Sequence, residues 1–129
     1  MHMNAEMPKF VLKRIRKIMR EHGMEDIARV GLYGLAYKAN VEDCRESPGL
    51  QLQQVINDFC AMTLTSYDPY VSRNLLPNQQ HDLATFLEAV DLVVILVGHD
   101  EIRQNATALQ GKIVLDCCNL PELTDAYHL

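Results

Sequence analysis

The chain has 129 residues, the size of one domain with one ordinary hydrophobic core. It is 48% hydrophobic and 22% charged, a composition that excludes a disordered or low-complexity protein. The net charge of −5 argues against general nucleic-acid binding, which needs cations against phosphates. The longest apolar run, Leu92 to Gly98, is too short to cross a bilayer, and no signal peptide is visible at the N-terminus. The four cysteines (Cys44, Cys60, Cys117, Cys118) form no C-x-x-C pair and stand at no zinc-ligand spacing from the histidines. Reduced thiols and a cytoplasmic location, away from membranes, are the expectation.

Charge is unevenly placed. Residues 1–22 carry six basic residues against two acidic ones, a balance of +4 that leaves −9 for the rest. The apolar residues Met7, Phe10, Val11, Ile15, Ile18 and Met19 recur at helical steps, with Lys9, Lys13, Arg16, Lys17 and Arg20 opposite. The pattern predicts an amphipathic helix from Met7 to His22, with Pro8 in its first turn and Gly23 as its stop. Met1 to Glu6 read as a tag remnant or a severed end.

Ala28 to Tyr33 then reads as a short buried strand, followed by an irregular polar stretch from Leu35 to Glu46. Ser47-Pro48 opens a second helix to about Met62, serine as N-cap and proline at the first helical position. Leu50, Leu52, Val55, Ile56 and Phe59 supply its apolar residues. Thr63 to Tyr67 is a second strand, Asp82 to Val90 a helix and Leu92 to Val97 an apolar strand of the kind covered on both faces. His99 to Leu109 is a weaker helix ended by Gly111, and Lys112 to Asp116 a further strand. Strands alternating with helices predict a three-layer α/β Rossmann-like domain, with about four parallel strands behind the amphipathic helix.

In such a sheet ligands bind beyond the carboxyl ends of the strands, where strand order reverses. Those ends are Gly34 to Arg45, Asp68 to Tyr70, Gly98-His99 and Asp116 to Asn119. In the first, glycine permits close backbone approach, a helix N-terminus follows, and Lys38 and Arg45 add positive charge suited to a pyrophosphate. A nucleotide-type ligand is expected there. As a glycine pattern, G-x-x-G falls short of the dinucleotide fingerprint.

Read whole, Gly34-Leu-Ala-Tyr-Lys-Ala-Asn-Val-Glu-Asp-Cys-Arg-Glu-Ser-Pro48 resembles the opening of the C-terminal domain of the UDP-glucose/GDP-mannose dehydrogenase family, in particular the UDP-N-acetyl-mannosamine dehydrogenase type. Tyr67-Asp68-Pro69, Ala89 to His99 and Ile113 to Asp116 match in the same order. Asn4-x-x-Met7-Pro8 resembles the family's junction with its central dimerisation helix. The resemblance implies that residues 1–23 end that central region and residues 24–129 form a UDP-sugar-binding domain. It implies an enzyme that oxidises the C6 alcohol of a nucleotide sugar with NAD, through a catalytic cysteine and a main NAD fold outside this chain. The chain alone is then expected to be inactive and its parent a homodimer. By motif position, Tyr37 and Lys38 would contact the UDP-sugar and Arg45 would reach NAD. The family commonly has a basic residue two positions after the last strand's aspartate; Cys118 stands there instead.

Several residues have plainer readings. His99 is expected to be structural or helix-capping, Asp68 to belong to a turn rather than to bind a ribose, and Cys60 to pack in the core. No cysteine has an evident His or Asp partner, so none is expected to be a nucleophile. The alternatives to the dehydrogenase reading are a stand-alone regulatory module that binds CoA or NAD, and an assembly domain without a ligand.

Overall fold

A computed structural model describes residues 6–129; the expectation for Met1 to Ala5, including Asn4 of the junction motif, lies outside them. Six parallel strands form one sheet in the order β3-β2-β1-β4-β5-β6. They are β1 (Val30–Tyr33), β2 (Thr65–Tyr67), β3 (Gln79–Gln80), β4 (Leu92–Ile95), β5 (Ile113–Asp116) and β6 (Tyr127–His128). The helices are α1 (Glu6–Glu21), α2 (Pro48–Cys60), α3 (Leu83–Glu88) and α4 (Asp100–Gln104). This is the strand order of a dinucleotide-type fold, and its reversal lies between β1 and β4. Parallel pairing runs Val30 to Leu92 through Tyr33 to Ile95 on that side, and Gly31 to Thr65 through Tyr33 to Tyr67 on the other.

Because side chains alternate across a strand, each central strand feeds two cores. Leu32, Leu92, Val94 and Leu115 face α1 and α2, meeting Val11, Leu12, Ile15, Ile18, Leu52 and Ile56. Tyr33, Val93, Ile95 and Val114 face the opposite layer, meeting Phe86, Leu87, Ile102 and Leu109. Each fully buried leucine or isoleucine contributes roughly 2 kcal/mol. Helix α1 is thus part of the first core, sharing it with the sheet.

The sequence-predicted elements are present, with several ends shifted by one or two residues and four larger differences. The sheet has six strands rather than about four, because β3 and β6 are two-residue edge strands, too short to show a period. Ala28 and Arg29 lie in a 3₁₀ turn (Ile27–Arg29) whose cap, Asp26, accepts from Ala28 N, so β1 begins at Val30. The segment His99 to Leu109 divides at Asn105 into α4 and a 3₁₀ turn, Ala106–Leu109. Phe10 and Phe59 are exposed, while Leu12, not counted among the apolar residues of its helix, is buried. A helix turns 100° per residue, so Phe10 falls to the flank of a stripe centred on Val11, Ile15 and Ile18.

Ser47 caps α2 as expected, its Oγ accepting from Leu50 N at 3.3 Å. Gly34 ends the β1 region at φ +107°, and a Cβ there would collide with Val97. A Cβ on Gly49 would collide with the Gly34 carbonyl. Gly49 therefore lets the first turn of α2 sit directly on the exit of β1, while Gly34 lets that exit pass close to Val97. Among the described residues, no helix is long and apolar enough to cross a membrane.

Candidate functional site

The loop after β1 crosses the strand-order reversal and is anchored by its neighbours. Tyr37 N donates to Asp43 O at 2.6 Å, closing the loop on itself. Leu35 N and Ala36 N donate to Asp68 Oδ2 at 2.7 and 2.8 Å. Asp68 Oδ1 accepts from Tyr70 N at 2.8 Å, an Asx turn of the kind expected for Asp-Pro. The same carboxylate receives His99 Nε2 at 2.8 Å, and both side chains are fully buried. Burial works to raise the Asp68 pKa, but His99 and the backbone amides outweigh it and hold the group below its usual range. Asp68 is thus a turn residue and also a strut across two strand ends.

His99 occupies the N-cap position of α4 but makes no capping bond; it is structural. Its Nδ1 lies 2.8 Å from Asn40 N, and Asn40 Oδ1 accepts from Asp100 N at 3.0 Å. The second acidic strand end behaves similarly: buried Asp116 accepts from Cys118 N at 2.8 Å and Leu120 N at 2.6 Å.

Two clefts open above these anchors. One, of about 320 Å³, lies between α1 and the first turn of α2, lined by Tyr37, Lys38, Pro48, Leu96 and Cys117 among others. The other, of about 680 Å³, is lined by Asp43, Cys44, Arg45, Tyr70 and Arg73 among others. Tyr37 also borders a shallow recess with Asp43, Arg45 and Glu46, so it stands between the two. Lys38 is exposed and has no ion-pair partner among the described residues. Arg45 is 89% exposed and grips Asp43 from 2.8 Å. The Arg45 side-chain hydrogen bonds, then its amide, draw the Asp43 carboxyl down to about 2. The structure therefore brings Tyr37 and Lys38 together in one cleft and puts Arg45 in the next.

Burial pushes the thiols of both Cys117 and Cys118 up to about 12, and it raises Cys44 as well. Cys60 packs half-buried at the edge of the first core, its Sγ 3.2 Å from Arg16. Cys117 faces the smaller cleft, whereas Cys118 turns into the opposite core, its Sγ 3.8 Å from Ile95 O. Asn40, and the double role of Asp68, were not legible in the sequence; a strand-end aspartate and a loop asparagine carry no spacing signal for partners 31 to 60 residues away.

Residues 31–122 match the model of the UDP-glucose/GDP-mannose dehydrogenase family, UDP binding domain. A UDP-N-acetyl-D-mannosamine dehydrogenase of Methanocaldococcus jannaschii is 34% identical over 126 residues, 92% of this chain and 28% of the relative. An NDP-N-acetyl-D-galactosaminuronic acid dehydrogenase of Ralstonia nicotianae is 30% identical over 119 residues, 88% of this chain and 27% of the relative. The solved UDP-N-acetyl-mannosamine dehydrogenase of S. aureus superposes with a TM-score of 0.76 at 25% identity, covering 97% of this chain and 30% of that one. The chain thus spans less than a third of the length of these proteins.

Proposed function

Given that the chain belongs to the UDP-glucose/GDP-mannose dehydrogenase family, we propose that it is the nucleotide-sugar-binding C-terminal domain of an NAD-dependent UDP-sugar 6-dehydrogenase. The proposed ligand is a UDP-sugar of the N-acetyl-mannosamine type, after the M. jannaschii and S. aureus relatives named above. The observation that carries this reading is that one cleft, walled by the first turn of α2, is lined by both Tyr37 and Lys38, whose ammonium has no ion-pair partner among the described residues. An exposed ammonium is a mobile point charge suited to a diphosphate, and the N-terminus of α2 adds partial positive charge beside it. Tyr37 offers a ring face and a hydroxyl for the nucleoside or sugar.

Arg45 is proposed to face NAD from the neighbouring cleft, giving up its grip on Asp43 for the cofactor's phosphate. NAD supplies the hydride acceptor when bound. The end of β2 does not fit a cofactor ribose: Asp68, where a ribose-binding acid would stand, is 2% exposed with both oxygens occupied. Arg73 lines the same cleft as Arg45, and the cofactor's main fold and the catalytic cysteine are proposed to belong to other parts of a full-length enzyme. Subunit pairing in that enzyme is proposed to use the α1 side, where Phe10 is 47% exposed.

Isothermal titration of the chain with UDP tests the reading, with Lys38→Ala as the comparison. Saturable binding that weakens about tenfold in the variant is expected. Binding of CoA or NAD without UDP would favour a regulatory module instead.

A further inference from the structure

We propose that His99 is a positioning residue: a neutral imidazole, protonated at Nε2, that holds the Tyr37–Asn40 turn by bridging the Asp68 carboxylate to the Asn40 amide. Its consequence for ligand binding rests on the reading of Tyr37 and Lys38 as UDP contacts.

The tautomer follows from the partners. A backbone N–H can only donate, so Nδ1, 2.8 Å from Asn40 N, must present its lone pair. An ionised carboxylate can only accept, so Nε2, 2.8 Å from Asp68 Oδ2, must carry the hydrogen. One neutral form satisfies both contacts. The other neutral form and the imidazolium each place an N–H against the Asn40 N–H. The ring has no exposure, and it lies among the aromatic rings of Tyr70, 4.9 Å away, and Tyr33, 6.0 Å away.

The placement gives the bond its role. Asp68 Oδ2 receives Ala36 N on one side of the Tyr37–Lys38 dipeptide and His99 Nε2, while His99 Nδ1 receives Asn40 N on the other side. Both ends of the dipeptide are therefore tied to one buried Asp–His pair. Asn40 sits at φ 61°, a left-handed conformation that a non-glycine residue adopts only when its surroundings hold it there. Its N–H on His99 and its Oδ1 on Asp100 N are the bonds that do so. Without His99 the far end of the dipeptide loses one of these two bonds and keeps the one to Asp100 N, while Asp68 retains the near end.

The test uses the ¹⁵N-labelled chain with His99→Gln and His99→Phe. Glutamine carries one acceptor and one donor on a single planar group, as the neutral imidazole does; phenylalanine fills the space with neither. Imidazole ¹⁵N shifts of the unaltered chain are expected to show a bare Nδ1 and a protonated Nε2. Amide exchange at Asn40 should be at least about tenfold faster in His99→Phe and within about threefold of the unaltered rate in His99→Gln. UDP affinity should follow the same order, with a tenfold loss corresponding to about 1.4 kcal/mol. A protonated Nδ1, or a folded His99→Phe with unchanged exchange, would overturn the proposal. If His99→Phe does not fold, the wild-type tautomer and His99→Gln decide. The tautomer and exchange readings need no ligand, so absence of UDP binding by the unaltered chain would overturn the proposed function separately.

Discussion

Tyr33 and Tyr67, paired on neighbouring strands, donate their hydroxyls to the two oxygens of one carboxylate: Tyr33 to Glu101 Oε1 at 3.1 Å and Tyr67 to Glu101 Oε2 at 2.7 Å. The bonds fasten the first turn of α4 to the sheet just below the His99 site. Burial, and then Glu101, push both phenols well above their usual range, so they remain donors at any ordinary pH. Tyr67→Phe should cost about 1.5–3 kcal/mol, the range for a hydrogen bond to a charged group. A denaturant titration reads it as a lower midpoint at unchanged slope.

Gly49→Ala should be more damaging than its helical position suggests. Alanine favours a helix interior by about 1 kcal/mol over glycine, but here its Cβ would drive into the Gly34 carbonyl. The steric effect should win, with a net loss of about 2 kcal/mol or more and a lower Tm. Because the displaced turn walls the Lys38 cleft, UDP binding should weaken in the same variant.

Ser66 offers the opposite sign. Its Oγ is buried with no hydrogen-bond partner among the described residues. Ser66→Ala removes that uncompensated hydroxyl at little cost in volume and should stabilise the domain by about 1 kcal/mol, seen as a raised Tm.

The Asp43–Arg45 pair makes a prediction about pH. A carboxyl depressed in the folded state contributes stability above its unfolded pKa of about 3.9 and loses it as pH falls through the folded value. For Asp43 that value is about 2, so the pair persists through mild acid, its contribution to stability declines between these limits, and the pair itself opens as pH falls through about 2. NMR titration of the Asp43 carboxyl should show this midpoint, and Arg45→Ala should move it upward toward the ordinary range. A ligand phosphate that captures Arg45 should shift it in the same direction.

Much of the fold was legible because it rests on local patterns. Ser47-Pro48 marked the start of α2, the continuous apolar run marked β4, and the alternation of strands and helices marked the parallel sheet. The loop after β1 stood out through its own residues, Tyr37, Lys38 and Arg45, whose roles remain proposals. What stayed hidden depends on contacts distant in sequence. The two edge strands exist only because a neighbour lies alongside them, and the exposure of Phe59 depends on what packs beyond α2. Cys118 shows the same limit: it stands where the family commonly has a basic residue, and only the structure shows that the turn directs its side chain into the opposite core.

The most direct measurement is mapping of UDP onto the ¹⁵N-labelled chain by amide shift perturbation. The predicted result is saturable change at Tyr37, Lys38 and the first turn of α2, with smaller effects at Leu96 and Cys117. Perturbation confined to the Arg45–Arg73 cleft, or none at a concentration that saturates the titration, would contradict the assignment of Tyr37 and Lys38 to the nucleotide-sugar site.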